Sequence, residues 1–186
     1  ICSAPLGFTR DVETLFDAAS LVSTPDRTVV YKSTGETSLA LHVFEAEGTP
    51  KALILWIHGG GWENGEPQQL YPQCAYFKEI GFTCISIEYR LASAGGSTVL
   101  DCIDDARDAF YWTVEHAAEF GVSPDKIIVA GESAGGHLAG CIGYIADTRD
   151  EAPDPQPYPA ACILVNPMLD IPAISWAVNK PGLSGN

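Results

Sequence analysis

The stretch KIIVAGESAGGHLAG, residues 126–140, passes from an apolar run to a glycine-flanked serine and then into a helical pattern. The apolar run at residues 127–130, which begins with three β-branched side chains, predicts a short buried strand. Ser133 follows within the pattern Gly-x-Ser-x-Gly. A serine between a strand and a helix sits on a sharp turn, where small flanking residues let the two elements pass closely. The stretch therefore predicts a nucleophile elbow, with the Ser133 hydroxyl exposed above the edge of a sheet.

A second glycine-rich motif, HGGGW at residues 58–62, follows directly on the apolar run KALILWI at residues 51–57. Such a run is typical of a strand that is buried on both faces of a parallel sheet. Three adjacent glycines carry a high conformational entropy cost, which makes them a poor choice for an ordinary loop. They fit a loop whose backbone N–H groups approach a ligand closely.

The rest of the pattern predicts a single α/β domain, residues 1–186. Alternating strands and helices favour a mostly parallel sheet with helices on both faces, and an antiparallel hairpin at its N-terminal edge. Right-handed crossovers would bring the two glycine motifs to the same carboxyl edge of that sheet. The other predicted elements are a hairpin of residues 28–33 and 38–44, helices at 68–79 and 98–120, and strands at 82–89 and 160–165.

The composition is that of a globular protein with an acidic surface. The chain has 186 residues, of which 46% are hydrophobic, and its 10 basic and 24 acidic side chains give a formal net charge of −14. This charge balance argues against nucleic acid and anionic membrane surfaces as partners, because there is no basic patch to neutralise phosphates. No apolar run reaches the roughly eighteen residues of a membrane-spanning helix.

The N-terminal residues and the cysteines bear on the cellular compartment of the protein. Residues 1–5, ICSAP, lack both an initiator methionine and the pattern of a signal peptide. Six scattered cysteines without a Cys-x-x-Cys pair favour free thiols over a disulfide framework, and hence a reducing, cytoplasmic compartment. The four histidines are also scattered, so no metal and no other cofactor is implied.

Three groups of polar residues are interpreted as structural. His42 falls on the polar side of the second hairpin strand. Residues 147–159, DTRDEAPDPQPYP, predict an acidic, proline-rich surface loop. Four carboxylates fall off the apolar stripe of the helix predicted at 98–120, as expected of a solvated face. They are Asp101, Asp104, Asp105 and Asp108.

The two glycine motifs together resemble those of the α/β-hydrolase fold, in particular the hormone-sensitive-lipase-like esterases. Within these, the chain is similar to bacterial acetyl-esterase and acetylxylan- or feruloyl-esterase-like members. The segments EYRL at 88–91, PDKI at 124–127 and NPMLD at 166–170 extend the resemblance over about residues 28–170.

The resemblance implies a role for each residue of the two motifs. Ser133 would be the nucleophile that attacks an ester carbonyl and forms an acyl-enzyme. The N–H groups of Gly60, Gly61 and Ala134 would form the oxyanion hole. His58 would hold the glycine loop in shape and would not take the proton.

Two further residues are assigned to the substrate pocket. Trp62 would line it, with plain packing as an equal alternative, and Glu132 lies next to the nucleophile. The expected substrate is a small ester or an acylated carbohydrate.

In this fold the acid and the base of the triad follow the nucleophile. His137 is the only histidine after Ser133, and it lies one helical turn along the elbow helix, while His116 precedes the serine. Asp170 is interpreted as structural, because in the family pattern it closes the strand before the one that carries the acid. The triad Asp and His are therefore expected outside this chain, and the fold is expected to be C-terminally incomplete.

The leading hypothesis is a serine carboxylic-ester hydrolase for short-chain, acetyl-like esters. The alternatives are a catalytically inactive α/β-hydrolase-like binding module and one half of a split or cleaved hydrolase. A serine peptidase on the same fold is a third alternative, for which the sequence gives no specific sign. A second copy of the chain and a remaining C-terminal segment both stay open as protein partners.

Overall fold

The computed structural model describes residues 23–35, 37–92 and 96–169. Short 3₁₀ turns occupy Pro67–Leu70, Ala117–Phe120 and Pro124–Lys126. The strands are β1 (Arg27–Thr34), β2 (Thr37–Phe44), β3 (Leu53–Ile57), β4 (Thr83–Ile87), β5 (Ile127–Glu132) and β6 (Ala161–Val165), and the helices are α1 (Tyr71–Glu79), α2 (Val99–Glu115) and α3 (Ala134–Tyr144).

The six strands form one sheet in the order β1-β2-β4-β3-β5-β6. β2 pairs antiparallel with both β1 and β4, whereas β4, β3, β5 and β6 are parallel to one another. The predicted α/β fold, with a mostly parallel sheet and an N-terminal antiparallel hairpin, is confirmed. Because β3 and β5 are parallel neighbours, the segments that follow them leave the same edge of the sheet.

Both faces of the sheet are covered by helices, which explains why β3 is apolar throughout. On one face, α2 and α3 pack over a core that includes Leu55, Ile85 and Phe110. On the other face, α1 packs over a smaller cluster that includes Trp56 and Cys74. None of the helices described is both long and apolar enough to cross a membrane. The cysteines of the described ranges are free thiols.

Both predicted helices are shorter than the pattern suggested. A 3₁₀ turn takes the place of the start of the helix predicted at 68–79, and α1 then begins with Pro72 in its first turn, where a missing N–H costs nothing. The helix predicted at 98–120 ends at Glu115. A 3₁₀ turn follows it and stops at Gly121, whose φ of 68° only glycine adopts freely.

The strand predicted at 160–165 is only partly buried. Ile163 and Val165 of β6 are 37% and 40% exposed. β6 is the edge strand of the described sheet, and no described element covers these two side chains. The apolar run at 160–165 is typical of a buried strand, but within the described part of the chain β6 is buried only in part.

The prediction of a solvated acidic face on α2 is wrong for Asp105. This carboxylate is fully buried and lies 2.7 Å from both Lys32 Nζ and Arg90 Nε. Burial alone would raise the pKa of Asp105, but hydrogen bonds from Arg90 and Lys32 hold it below its usual value. Asp104 and Asp108 are partly exposed and pair with Arg149. The buried Asp105 carboxylate is tolerated because Lys32 and Arg90 form ion pairs with it.

The loop at 147–159 also begins with a buried acid. Asp147 is 4% exposed and accepts hydrogen bonds from Arg149 Nη2 at 2.7 Å and from Tyr111 Oη at 3.2 Å. Arg107 Nη1 lies 3.4 Å from the same carboxylate. Asp147 therefore joins the loop to α2, and the expectation of a simple surface loop is wrong at this residue.

We expect Asp147→Asn to lower the free energy of unfolding by about 2 kcal/mol at pH 7. The Arg149 hydrogen bond, aided by the charge of Arg107, lowers the pKa of Asp147 to about 2. The unfolded value is about 3.9. The carboxylate thus stabilises the fold fully above pH ~4, and this stabilisation is lost as the pH falls towards ~2. Urea unfolding between pH 7 and pH 3 should show that the difference in unfolding free energy between wild type and variant becomes smaller as the pH falls.

The exposed Asp150 offers the control Asp150→Asn, which should change the free energy of unfolding little at any pH. A difference between wild type and Asp147→Asn that stays constant with pH would contradict the prediction.

Candidate active site

Ser133 occupies the turn between β5 and α3 in a strained backbone conformation. Its φ of 53° and ψ of −115° place a non-glycine residue at positive φ. Such strain costs about 1–3 kcal/mol and persists only where the surroundings enforce it. Here they do, because a Cβ on Gly131 would lie 2.1 Å from Gly135 O, and one on Gly135 would lie 2.1 Å from Ile57 O. The turn has room only for glycine on both sides of the serine.

The backbone of Ser133 is fixed by three hydrogen bonds. Its N–H donates to Val165 O at 2.9 Å, and its carbonyl accepts from His137 N at 3.1 Å and Met168 N at 3.3 Å. The backbone polar groups of the strained residue are thus satisfied by α3, by β6 and by the segment that follows β6. The side chain is left half-buried at the carboxyl edge of the sheet.

The glycine loop, residues 58–62, lies against the serine. Ile57 pairs with Gly131, so the loop and the elbow leave adjacent strand ends. A Cβ on Gly59 would lie 3.3 Å from Ser133 Cβ and 3.0 Å from Glu132 O. Gly60 and Gly61 have φ of 113° and 64°, and a Cβ on Gly60 would lie 2.0 Å from Asn64 O. Gly59 and Gly60 lie too close to neighbouring backbone atoms for a side chain, and Gly60 and Gly61 adopt the positive φ that glycine tolerates best.

The N–H groups assigned to the oxyanion hole come from the glycine loop and from the start of α3. Among the loop and turn hydrogen bonds between described residues, none is donated by the backbone N of Gly60, Gly61 or Ala134. Ala134 is the first residue of α3, where the helix dipole also favours a negative charge. Gly59 packs against Ser133, and Gly60 and Gly61 follow it in the loop, so their N–H groups stay the candidates for stabilising an anion at the serine.

His58 is built into the scaffold of the loop. It is 2% exposed, and its Nδ1 donates to Gly59 O at 2.8 Å. Its ring stacks on Tyr89 with the centroids 4.3 Å apart, and Tyr89 Oη donates to His58 O at 3.0 Å. Burial lowers the pKa of His58, so the ring is neutral near pH 7. These contacts fit the expectation that His58 shapes the loop.

Trp62 and Glu132 differ sharply in environment. Trp62 is 9% exposed, belongs to the larger core cluster, and meets the His137 ring edge-on with centroids 5.4 Å apart. This burial favours the packing alternative for Trp62. Glu132 is exposed at the end of β5, directly before the nucleophile.

The structure brings no histidine into hydrogen-bonding contact with the Ser133 hydroxyl within the described ranges. His137 is buried on α3 with Nε2 3.6 Å from Cys141 Sγ, and burial lowers its pKa. His116 stacks on Trp112 at the end of α2, and His42 lies between Tyr71 and Glu88. Asp170 lies outside the described residues. Among the residues described, no cluster of three metal-ligating side chains occurs.

Sequence reasoning missed the residues that hold the loop from β4. Tyr89 fixes the start of the glycine loop, and Ala92 N donates to Trp62 O at its end, at 2.8 Å. The segment EYRL served only to extend the resemblance. The adjacent tyrosine and arginine directly after a central strand, Tyr89 and Arg90, were the signals available for it.

Comparisons with known proteins agree with this geometry. The BD-FAE family model matches residues 39–163. The carboxylic ester hydrolase LipN of Mycobacterium tuberculosis is 33% identical over 150 residues, which are 79% of this chain and 38% of that protein. A propionate-bound structure of the Thermogutta terrifontis esterase Est2 superposes with a TM-score of 0.71 at 37% identity and covers 76% of this chain and 54% of that one. A structure of the same organism's esterase 2, phosphorylated by paraoxon, gives a TM-score of 0.71 at 36% identity and covers 76% and 56%.

The chain thus spans about half the length of these solved esterases and 38% of the length of LipN. The match to the family model still takes in most of the hairpin's second strand, the glycine loop, the elbow and most of β6. The chain belongs to the BD-FAE family and has the α/β-hydrolase fold of esterases.

Proposed function

We propose that the protein containing this chain is a serine carboxylic-ester hydrolase that acts through an acyl-enzyme on short-chain esters. The observation that carries the proposal is the juxtaposition of Ser133, held at φ 53°, with the glycine loop, since a Cβ on Gly59 would lie 3.3 Å from Ser133 Cβ. A binding module would gain nothing from a serine kept in a strained turn. Relatives that are named carboxylic ester hydrolases and esterases add support.

The chemistry follows from these positions. Ser133 Oγ attacks the ester carbonyl carbon, its proton passes to a base, and the carbonyl oxygen becomes an oxyanion. The three N–H groups would stabilise that oxyanion, and each such donor is typically worth about 3 kcal/mol in the transition state. Collapse of the intermediate expels the alcohol, which takes up the proton. Water then cleaves the acyl-serine by the same steps and releases the acid.

The base and its carboxylate partner are proposed to come from residues outside the described ranges. His58 is neutral and donates Nδ1–H within its own loop, and His137 is enclosed by α3 and Trp62. Neither imidazole is placed to take the proton from Ser133 Oγ.

A short acyl group is proposed because Est2 is described with propionate bound. Steady-state kinetics of the intact protein with p-nitrophenyl acetate, butyrate, octanoate and palmitate would test this. We expect kcat/KM to be highest for acetate or butyrate and to fall at least tenfold by octanoate.

Rapid mixing with p-nitrophenyl acetate should also show a burst of one p-nitrophenol per active site if deacylation is slow. A preference for palmitate would contradict the short-chain assignment but would leave the esterase assignment intact. Absence of hydrolysis of every ester by the intact, folded protein would contradict the proposed function itself.

A further inference from the structure

The segment that follows β4, residues 88–92, holds the glycine loop at both ends. At the start of the loop, Tyr89 Oη donates to His58 O at 3.0 Å, and the two rings stack. At its end, Ala92 N donates to Trp62 O at 2.8 Å. The N–H groups of Gly60 and Gly61 lie between these two attachments. Their direction therefore depends on where the 88–92 segment sits.

That segment is in turn fixed to α2 through Arg90. Asp105 Oδ2 accepts from Arg90 N at 3.0 Å and from Arg90 Nε at 2.7 Å, and Oδ1 accepts from Arg90 Nη2 at 2.8 Å. Cys102 Sγ donates to Arg90 O at 3.1 Å. One face of α2 thus holds both backbone polar groups of Arg90 as well as its guanidinium.

The Asp105 carboxylate is suited to set a position. It is fully buried, and Lys32 Nζ lies 2.7 Å from Oδ1 as a further partner from β1. Forked hydrogen bonds between guanidinium and carboxylate are both strong and directional. Without Asp105, Arg90 keeps Asp101 and Lys32 keeps Asp108 as charged partners among the described residues, but the fork that fixes Arg90 is lost and the surroundings must move. The movement would be felt first at Arg90, which is one residue from Tyr89 and two from Ala92.

We propose that Asp105 is a positioning residue for the oxyanion hole, acting through Arg90 and the 88–92 segment on the glycine loop. The catalytic part of this proposal rests on the proposed esterase function. Asp105 touches no reacting atom, and its effect is to hold the Gly60 and Gly61 donors where the oxyanion forms.

The kinetic test compares Asp105→Asn with Asp104→Asn in the intact protein. Asp104 is the neighbouring carboxylate on the same helix, is 36% exposed and pairs only with Arg149 among the described residues. We expect Asp105→Asn to lower kcat for p-nitrophenyl acetate about 10- to 100-fold, because a small misplacement of a positioned group can cost that much. KM should change less than about threefold, since the donors act mainly in the transition state.

A second readout separates positioning from general loss of structure. The inhibition constant of a trifluoromethyl ketone, which forms an oxyanion at Ser133, should rise in Asp105→Asn by the same factor as kcat/KM falls. Asp104→Asn should leave all of these quantities near wild type. A folded Asp105→Asn variant with wild-type kcat, or with a raised KM and unchanged kcat, would overturn the proposal.

Amide hydrogen exchange gives a test that does not need turnover. In Asp105→Asn, the Ala92 amide should exchange at least tenfold faster than in wild type, because its bond to Trp62 O loosens. If the intact wild-type protein hydrolyses no ester, the proposed function fails, while the Ala92 rate still decides whether Asp105 holds the loop. If Asp105→Asn does not fold, Arg90→Lys keeps the charge, loses the fork and should give the same pattern. An unchanged Ala92 rate in a folded variant would refute the role of Asp105.

Discussion

Replacing Ser133 with alanine should lower kcat for p-nitrophenyl acetate by about a millionfold in the intact protein, which is the loss expected when the nucleophile of a serine hydrolase is removed. The same variant should no longer react with a fluorophosphonate probe, because the phosphorus atom has no Ser133 oxygen to bond. Alanine at position 133 would adopt the same positive φ as the serine, so the free energy of unfolding should change little. Steady-state kinetics and intact mass after probe treatment would measure both effects.

Ser123→Ala is the matched control for Ser133→Ala. Ser123 is an exposed serine in the turn that leads into β5, and its hydroxyl bonds only to Asp125 among the described residues. Its replacement should leave both hydrolysis and probe labelling at the wild-type level. If Ser133→Ala kept its activity or was still labelled, another nucleophile would be acting. If the wild-type protein bound esters without cleaving them, the inactive binding module would be the better account.

The features that the sequence predicts correctly are those set by local backbone constraints. A β-branched run, a glycine-flanked serine and a helical start can be joined in few ways, which is why β5 and α3 appear on either side of Ser133. The apolar run before His58 requires a strand buried on both faces, and β3 is that strand. Two such strand ends in one parallel sheet bring their loops together.

The features that the sequence does not predict depend on distant partners. Asp105 reads as one of four carboxylates on a helix face, and only the tertiary fold brings Lys32 and Arg90 against it. In the sequence, Asp147 is the start of an acidic loop. In the structure it pairs with Arg107 of α2, which is 40 residues earlier in the chain. Periodicity reports which side of a helix is apolar, but it does not report which charges are buried with a partner. Periodicity alone therefore predicts that these buried acids are exposed to solvent.

Gly135→Ala should lower the free energy of unfolding by about 3 kcal/mol or more, and should remove the ordered Ser133 turn with it. The new Cβ would lie 2.1 Å from Ile57 O and 2.5 Å from His58 O, and both are backbone atoms that cannot rotate away. To make room, α3 must move off the end of β3, which also separates Ser133 from the glycine loop. Thermal and urea unfolding, followed by circular dichroism, would measure the loss.

Gly140 supplies a control of opposite sign in the same helix. A Cβ there would lie 3.5 Å from Leu169 Cδ2, which is an ordinary van der Waals distance. Because alanine is a better helix former than glycine by about 1 kcal/mol, Gly140→Ala should stabilise the protein slightly and leave ester hydrolysis unchanged. The two variants should therefore shift the melting temperature in opposite directions. If both variants raised the melting temperature, helix propensity would dominate at Gly135, and close approach of α3 to β3 could not be what fixes the Ser133 turn.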